Sequence, residues 1–167
     1  MALGAAFVDD NGNGRYEPQL DRPDLLGDKT LWTVMNDETP IEQRFPRGGL
    51  PIGLEVHLTG WAYQAGSGPL ADALFFRYLL VNPGSDTLKS VHFSLFVDGD
   101  IGDPTDDLLG SDTSAWFGYF YNREEDLEYA RQNLPTPALG VLILQGAVVP
   151  SPGDTAYRWH GPLRGVE

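Results

Sequence analysis

Cysteine is absent from the 167 residues of this chain. The protein therefore has no disulfide, and cysteine usage does not indicate an oxidising or a reducing compartment. A cysteine nucleophile is excluded, and no G-x-S-x-G motif is present. The three histidines, His57, His92 and His160, follow no metal-ligand spacing. These absences favour a non-enzymatic protein, although a pair of carboxylates could still act in glycoside hydrolysis.

Long apolar runs and clustered basic residues are also missing. No run approaches the roughly 20 residues that span a bilayer, so we predict no membrane insertion. The first residues, MALGAAFVDD, lack the basic start and long apolar segment of a secretion signal. Only 11 Lys and Arg stand against 24 Asp and Glu, which gives a net charge of −13. Because phosphate binding needs clustered basic residues, nucleic acid is not an expected partner.

Period-two hydrophobic patterns predict β-strands. In the segment 52–62, Ile52, Leu54, Val56 and Leu58 alternate with polar residues, as in a half-buried strand. Segments 73–82 and 87–98 alternate about an NPGSD turn and predict an antiparallel hairpin. Further predicted strands cover 30–37, 114–122, 141–149 and 155–160.

Only the segment 123–133, REEDLEYARQN, has a helical pattern, and it is short and strongly charged. Short strands separated by Gly and Pro turns are typical of a sandwich. We therefore predict an all-β protein, an antiparallel β-sandwich of the Ig-like or jelly-roll-like kind, with at most one short helix. The length fits one domain over residues 1–167.

The segment 8–23, VDDNGNGRYEPQLDRP, carries the pattern of a calcium loop. Asp9, Asn11 and Asn13 alternate before a glycine, which matches D-x-[DN]-x-[DN]-G. Calcium prefers six to eight oxygen ligands, and a coiled loop can bring alternate side-chain oxygens to one point. The carbonyl of Arg15 would be the next ligand, and Glu17 or Asp21 could close the shell.

This loop departs from an EF-hand, because Leu20 stands where the closing Glu is expected and two prolines prevent a regular exiting helix. The alternative is an ordinary Asn-Gly turn with solvated charges. Crowding so many oxygens without a cation is costly, so we favour one calcium ion here.

A second acidic segment, 97–112, reads VDGDIGDPTDDLLGSD and has no basic residue. Neighbouring like charges repel each other, and either a dication or simple exposure to solvent would relieve this repulsion. The segment predicts a possible second calcium site. Its candidate ligands are Asp98, Asp100, Asp103, Asp107 and Asp112.

Trp61 and Tyr63 follow the polar face of the strand 52–62, together with Glu55, His57 and Thr59. If that face is exposed, the two rings are candidates for stacking on a sugar. Aromatic side chains also fill sandwich cores, which is the more common situation.

Five segments occur in a characteristic order: GAAFVDDNGNGRYEP, LLGDKTLWTVMNDE, PIGLEVHLTGWAY, LFFRYLLVNPGSDTLKSVHFSLFVDGDIGDPTDDLLGSDT and GYFYN. This order resembles a region common in very large secreted bacterial proteins that end in a type IX secretion sorting domain. The resemblance covers about residues 4–150. Relatives often read S-D-P-D where this chain has Val97-Asp98-Gly99-Asp100, which leaves the ligand set of the second segment open.

The resemblance implies secretion, calcium-dependent β folding and a surface or adhesive setting. It marks Asp9, Asn11 and Asn13 as ligand candidates, and the second segment as a shared acidic loop. We therefore expect a fragment excised from a larger secreted protein, with a glycan or a protein as its extracellular partner. A carbohydrate-binding module, a glycan-active enzyme and a cytosolic protein with acidic turns are the alternatives.

Overall fold

The computed structural model describes residues 4–43, 49–148, 155–158 and 161–164. The chain divides into two compact units, Met1–Ser90 and Val91–Glu167. All strand pairs are antiparallel, and the one α-helix among the described residues is a single turn. The predicted all-β class with at most one short helix is confirmed. That residues 1–167 form one domain stays a prediction.

The first unit contains a two-stranded ladder and a three-stranded sheet. Strands β1 and β2 form the ladder, and β4 is the central strand of the sheet, with β3 and β5 at its sides. A 3-10 turn, Ile41–Gln43, follows β3. The strands are β1 (Phe7–Val8), β2 (Arg22–Pro23), β3 (Lys29–Asn36), β4 (Glu55–Ala62) and β5 (Leu74–Val81).

The two faces of this sheet differ in burial. The register places Trp32, Thr59 and Arg77 side by side on one face, which we call the Thr59 face and which also carries Trp61. Thr59 is only 5% exposed. Glu55 and His57 on the same face form a 2.8 Å ion pair and are largely covered. The expectation that this face is the exposed polar side is therefore wrong, because Thr59 is buried and His57 bonds to Glu55 and meets the Trp32 ring edge-on.

The opposite face, with Val56 and Leu58 in β4, is the one that the hydrophobic alternation assigned to the interior. Both side chains are half-buried, but the residues on this face of β3 are open to solvent, and so is Phe76 in β5. Leu31 is 81% exposed and Phe76 57% exposed. A period-two hydrophobic pattern distinguishes the two faces of a strand, but it does not determine which face other segments of the protein cover.

The predicted hairpin between 73–82 and 87–98 is not formed. The first segment is β5, which pairs along its length with β4. The second segment has no assigned strand, and its Phe96 is 87% exposed. Strand β5 pairs with β4 through one edge, and its other edge has no assigned strand partner within the described residues. Alternation predicts a strand, but it does not supply a partner for that strand.

The second unit contains a three-stranded sheet in the order β6-β7-β8 and a separate hairpin of β9 and β10. A single helical turn, α1, lies between β7 and β8. The elements are β6 (Asp107–Asp112), β7 (Phe117–Asn122), α1 (Leu127–Ala130), β8 (Leu139–Leu142), β9 (Thr155–Arg158) and β10 (Gly161–Arg164). Strand β6 lies inside the acidic segment 97–112, which was predicted to be a connection.

Packing in the second unit is local. Ile101 is the one buried apolar side chain among the described residues, at 4% exposure. Rings of Phe117, Tyr119 and Tyr121 contact one another along one face of β7. The Tyr119 ring lies directly over Gly110, the residue opposite it in β6, and there is no space for a larger residue at that position.

Gly27 shows where the first unit requires a glycine. Its φ is +60°, and a Cβ at this position would lie 2.5 Å from the carbonyl oxygen of Ala62. We expect Gly27→Ala to destabilise the first unit by about 1–3 kcal/mol, because alanine meets both a left-handed backbone and a backbone atom. Thermal unfolding measures the change. Gly66→Ala, at a site with no heavy atom within 4 Å, is the control, and equal melting temperatures for the two variants would contradict the prediction.

Candidate cation-binding loops

The ladder of β1 and β2 brings both ends of the first acidic loop together. Val8 pairs with Arg22, so the residues between them, 9–21, form a closed connection that we call the first loop. Most of its side chains are exposed, whereas Asp21 is only 6% exposed. The loop is thus accessible to solvent and anchored at one buried carboxylate.

Asp9 holds the first half of the loop in a tight coil. One of its carboxylate oxygens accepts hydrogen bonds from the N–H groups of Gly12 (2.7 Å) and Asn13 (3.2 Å), and the other accepts from Gly14 (2.6 Å). The two glycines have φ of +71° and +73°, which L side chains rarely adopt. The bond from Gly14 is the main cause that lowers the pKa of Asp9 below its ordinary value of 3.8.

Glu17 accepts hydrogen bonds from both asparagine side chains of the loop. Asn11 Nδ2 and Asn13 Nδ2 both donate to Glu17 Oε2, each at 2.7 Å. The amide oxygens accept backbone N–H groups, Asn11 Oδ1 from Asn13 (3.0 Å) and Asn13 Oδ1 from Arg15 (2.8 Å). Two amides and one carboxylate therefore meet at one point. The amide nitrogens face Glu17 and the amide oxygens face backbone N–H groups, so a cation at this point would have to displace these hydrogen bonds.

Asp21 closes the loop. Its two oxygens accept the N–H groups of Asp10 (3.1 Å) and Glu17 (2.6 Å), which joins the beginning of the loop to its end. The backbone N–H of Asp21 also donates to the Glu17 carbonyl at 2.7 Å. The structure thus brings Asn11, Asn13 and Glu17 together at one point and places Asp9 and Asp21 as backbone acceptors around them.

The second acidic segment is divided by β6. Asp107 begins this strand and Asp112 ends it, so about 17 Å separate them at the usual rise of about 3.3 Å per residue. Asp112 accepts Ser114 Oγ at 2.6 Å and two backbone N–H groups in the turn to β7, and the hydroxyl is the main cause that lowers its pKa. The structure therefore does not bring Asp112 together with Asp107.

The other end of β6 carries two buried oxygens without a donor. Asp107 and Asn122 are paired across β6 and β7, and neither Asp107 Oδ1 nor Asn122 Oδ1 has a hydrogen-bond partner. Asp107 Oδ2 accepts the N–H of Ile101 at 3.0 Å. Asp98 and Asp100 line a cavity of about 220 Å³ beside Asp107. Three of the predicted acidic residues thus surround one cavity.

Asp103 and Asp126 hold the segment that precedes β6. Asp103 accepts both the hydroxyl (2.7 Å) and the N–H (3.0 Å) of Thr105, and the hydroxyl is the main cause that lowers its pKa. Asp126, only 2% exposed, accepts the Asp103 N–H at 2.9 Å and the first N–H groups of α1. Asp126 was not among the predicted site residues, although Asp before a short helix is a typical N-cap.

Trp61 and Tyr63 do not form an open platform. Trp61 stacks on Phe75 with ring centroids 5.4 Å apart, and Tyr63 meets the same ring edge-on at 5.8 Å. Phe75 therefore occupies one face of Trp61. Tyr63 is 40% exposed, so it is the more accessible of the two predicted ligand-binding rings.

Within the described residues, no group of three or more His, Asp or Glu side chains is placed to hold a metal ion. A cation at the first loop would therefore need amide and backbone carbonyl oxygens beside Glu17, and calcium accepts such ligands. At the second segment, the two oxygens without donors are the observation that fits a cation.

No protein-family model, curated protein or solved structure matches this chain. The resemblance to the secreted bacterial region therefore stays a prediction. No helix in the described part of the chain is long and apolar enough to cross a membrane.

The lowered pKa of Asp126, caused first by the Asp103 N–H, predicts a pH dependence. A carboxyl whose folded pKa lies below 3.8 stabilises the fold fully above that pH, and the contribution is lost as pH falls toward the folded pKa. We expect the melting temperature to fall as the pH drops below 3.8, and Asp126→Asn to weaken this dependence. Asp72→Asn, at an exposed position outside both loops, is the control, and identical pH profiles for all three proteins would contradict the prediction.

Proposed function

We propose that the first loop binds one calcium ion, and that the protein is a calcium-stabilised extracellular module with a structural or adhesive role on a secreted or surface-displayed bacterial protein. One observation carries the cation assignment. Asn11 and Asn13 each donate Nδ2 to the same oxygen of Glu17 at 2.7 Å, so two amides and a carboxylate meet in an exposed loop that Asp9 holds in a coil. Calcium would replace these hydrogen bonds and take the amide and carboxylate oxygens as ligands.

The chemistry of these ligands fits a weak calcium site. Amide and carboxylate oxygens are the hard donors that calcium prefers, and exposure of the loop leaves room for water in the remaining positions. Because Asn11 and Asn13 are neutral, this ligand set carries less negative charge than a set of carboxylates and binds calcium more weakly. Extracellular modules bind calcium with Kd values of about 10⁻⁴–10⁻³ M, which suits a medium rich in calcium. The family resemblance supports the same location.

Such an ion would stabilise the folded form of the loop. The ligands lie at positions 9–21 and converge only when β1 and β2 are paired, so binding free energy adds to folding free energy. At a free calcium concentration ten times Kd, the gain is about 1.4 kcal/mol. The bound ion would hold the first loop rigid and so present a fixed surface to a protein or glycan partner.

A second ion at the cavity beside Asp107 is proposed on separate grounds. Asp107 Oδ1 and Asn122 Oδ1 are buried oxygens without donors, and a buried acceptor without a partner costs about 1–3 kcal/mol. A cation, or an ordered water molecule, would remove that cost. Asp98 and Asp100 in the cavity wall favour the cation.

The first site is tested by the calcium response of Asp9→Ala. We expect calcium to raise the melting temperature of the wild type by a few degrees and that of Asp9→Ala by clearly less, because the coil loses the acceptor of three N–H groups. Isothermal titration of the chelator-treated proteins measures affinity directly. Asp72→Ala, which alters an exposed acid outside both loops, is the matched control. A full calcium response in Asp9→Ala would overturn the assignment.

The second site is tested by Asp107→Asn. If a cation lies beside Asp107, the substitution removes one of its charged ligands. The calcium-induced stabilisation that remains in Asp9→Ala should then disappear in the double variant Asp9→Ala/Asp107→Asn. If no cation binds there, the new amide can donate to Asn122 Oδ1, and the variant should be at least as stable as the wild type in chelator and in calcium. Thermal unfolding of both variants in the two buffers separates these outcomes.

A further inference from the structure

The first loop contains two Asn-Gly dipeptides, Asn11–Gly12 and Asn13–Gly14, two residues apart. Asn-Gly is the dipeptide most prone to deamidation, because glycine has no side chain to hinder attack by its own backbone nitrogen. The other asparagines of the chain are followed by larger residues; they are Asn36, Asn82, Asn122 and Asn133. The loop is exposed, so water can reach both dipeptides.

The reaction needs no reagent other than water. The glycine nitrogen loses its proton and attacks the asparagine Cγ, the new N–C bond closes a succinimide ring, and the amide nitrogen leaves as ammonia. Water then opens the ring at either carbonyl, which gives aspartate or isoaspartate. Two conditions control the rate: the glycine N–H must be free to lose its proton, and the asparagine side chain must rotate until Cγ meets that nitrogen.

Asp9 hinders the loss of the glycine proton at both dipeptides. The Gly12 N–H donates to Asp9 Oδ1 at 2.7 Å, and the Gly14 N–H donates to Asp9 Oδ2 at 2.6 Å. A negative charge that develops on either nitrogen would face the negative carboxylate of Asp9, which is unfavourable.

The second condition is blocked through Glu17. Each asparagine has its Nδ2 bound to Glu17 Oε2 and its Oδ1 bound to a backbone N–H two residues further on. Rotation toward the glycine nitrogen would break both hydrogen bonds of that amide. The two dipeptides are therefore held by the same arrangement, with Asp9 on the nucleophile and Glu17 on the leaving group.

We propose that Asn11 and Asn13 form a paired deamidation site that Asp9 and Glu17 keep inactive, and that loss of this hydrogen-bond network starts the modification. Each event replaces a neutral amide by a carboxylate in the loop, and isoaspartate also lengthens the backbone by one carbon. The modified loop then cannot re-form its original coil. A modified asparagine therefore indicates that the hydrogen bonds of this loop had been broken earlier. The inference rests on the hydrogen bonds and does not require a bound ion.

Peptide mass spectrometry after incubation at physiological temperature and mildly alkaline pH tests this proposal. We expect Asp9→Ala to deamidate at Asn11 and Asn13 about tenfold faster than the wild type, which equals about 1.4 kcal/mol in the barrier. Glu17→Ala, which frees the amides and leaves Asp9 in place, should accelerate both sites by a smaller factor. This second variant keeps the test valid if Asp9→Ala does not fold.

Asp10→Ala is the matched control, since it removes a neighbouring carboxylate that bonds to neither dipeptide in the described loop. The four asparagines without a following glycine are internal references. Equal rates in the wild type and in both loop variants would overturn the proposal, as would a slower reaction in Asp9→Ala, which would make Asp9 the base. Calcium titration of the same samples keeps the two proposals apart: a wild type that binds no calcium, combined with faster deamidation in Asp9→Ala, overturns only the calcium assignment.

Discussion

The long connections of this protein depend on aspartate carboxylates that accept backbone N–H groups. A buried or half-buried N–H without an acceptor is costly, and a connection outside the sheets has no ladder to supply one. Asp9 serves three N–H groups in the first loop, and Asp126 serves three in the second unit. Asp37 likewise accepts Ile52 and Leu54 N–H groups at 2.6 and 2.9 Å. Aspartate suits this role because its short side chain reaches the backbone a few residues away.

This use of aspartate has an electrostatic cost. The net charge is −13, and the ion pairs within the described residues are Arg77 with Asp24 and His57 with Glu55. Most carboxylates are therefore balanced by the partial charges of N–H groups and by solvent. Two unit charges 4 Å apart repel by about 1 kcal/mol in water and by more where solvent is excluded. Exposure to solvent lowers this repulsion, and a negative net charge of this size attracts mobile cations to the surface.

The sequence predicted the strands of the first sheet well, and the alternation is clearest in β3, whose residues are exposed and half-buried in turn over most of its length. It did not predict which side would be covered, since Thr59 and the Glu55–His57 pair resemble a solvated surface until their partners are known. Strand β6 was missed because its residues, DLLGSD, are rich in turn formers. In the first loop, the spacing of the polar residues indicated that their side chains would come together, as those of Asn11, Asn13 and Glu17 do. The separate roles of Asp9, which accepts backbone N–H groups, and Glu17, which accepts the asparagine side chains, could not be predicted. They depend on the direction in which each N–H group points.

The choice of asparagine at positions 11 and 13 shows how these constraints combine. With aspartate at both positions, four carboxylates would crowd around the coil that Asp9 and Glu17 already occupy, and the loop would need a cation in order to fold. Asparagine removes that repulsion and supplies two donors that Glu17 accepts, so the coil is complete through its own hydrogen bonds. The glycines that permit the turns are also the residues that make asparagine chemically fragile. The hydrogen bonds that shape the loop therefore also protect its asparagines from deamidation.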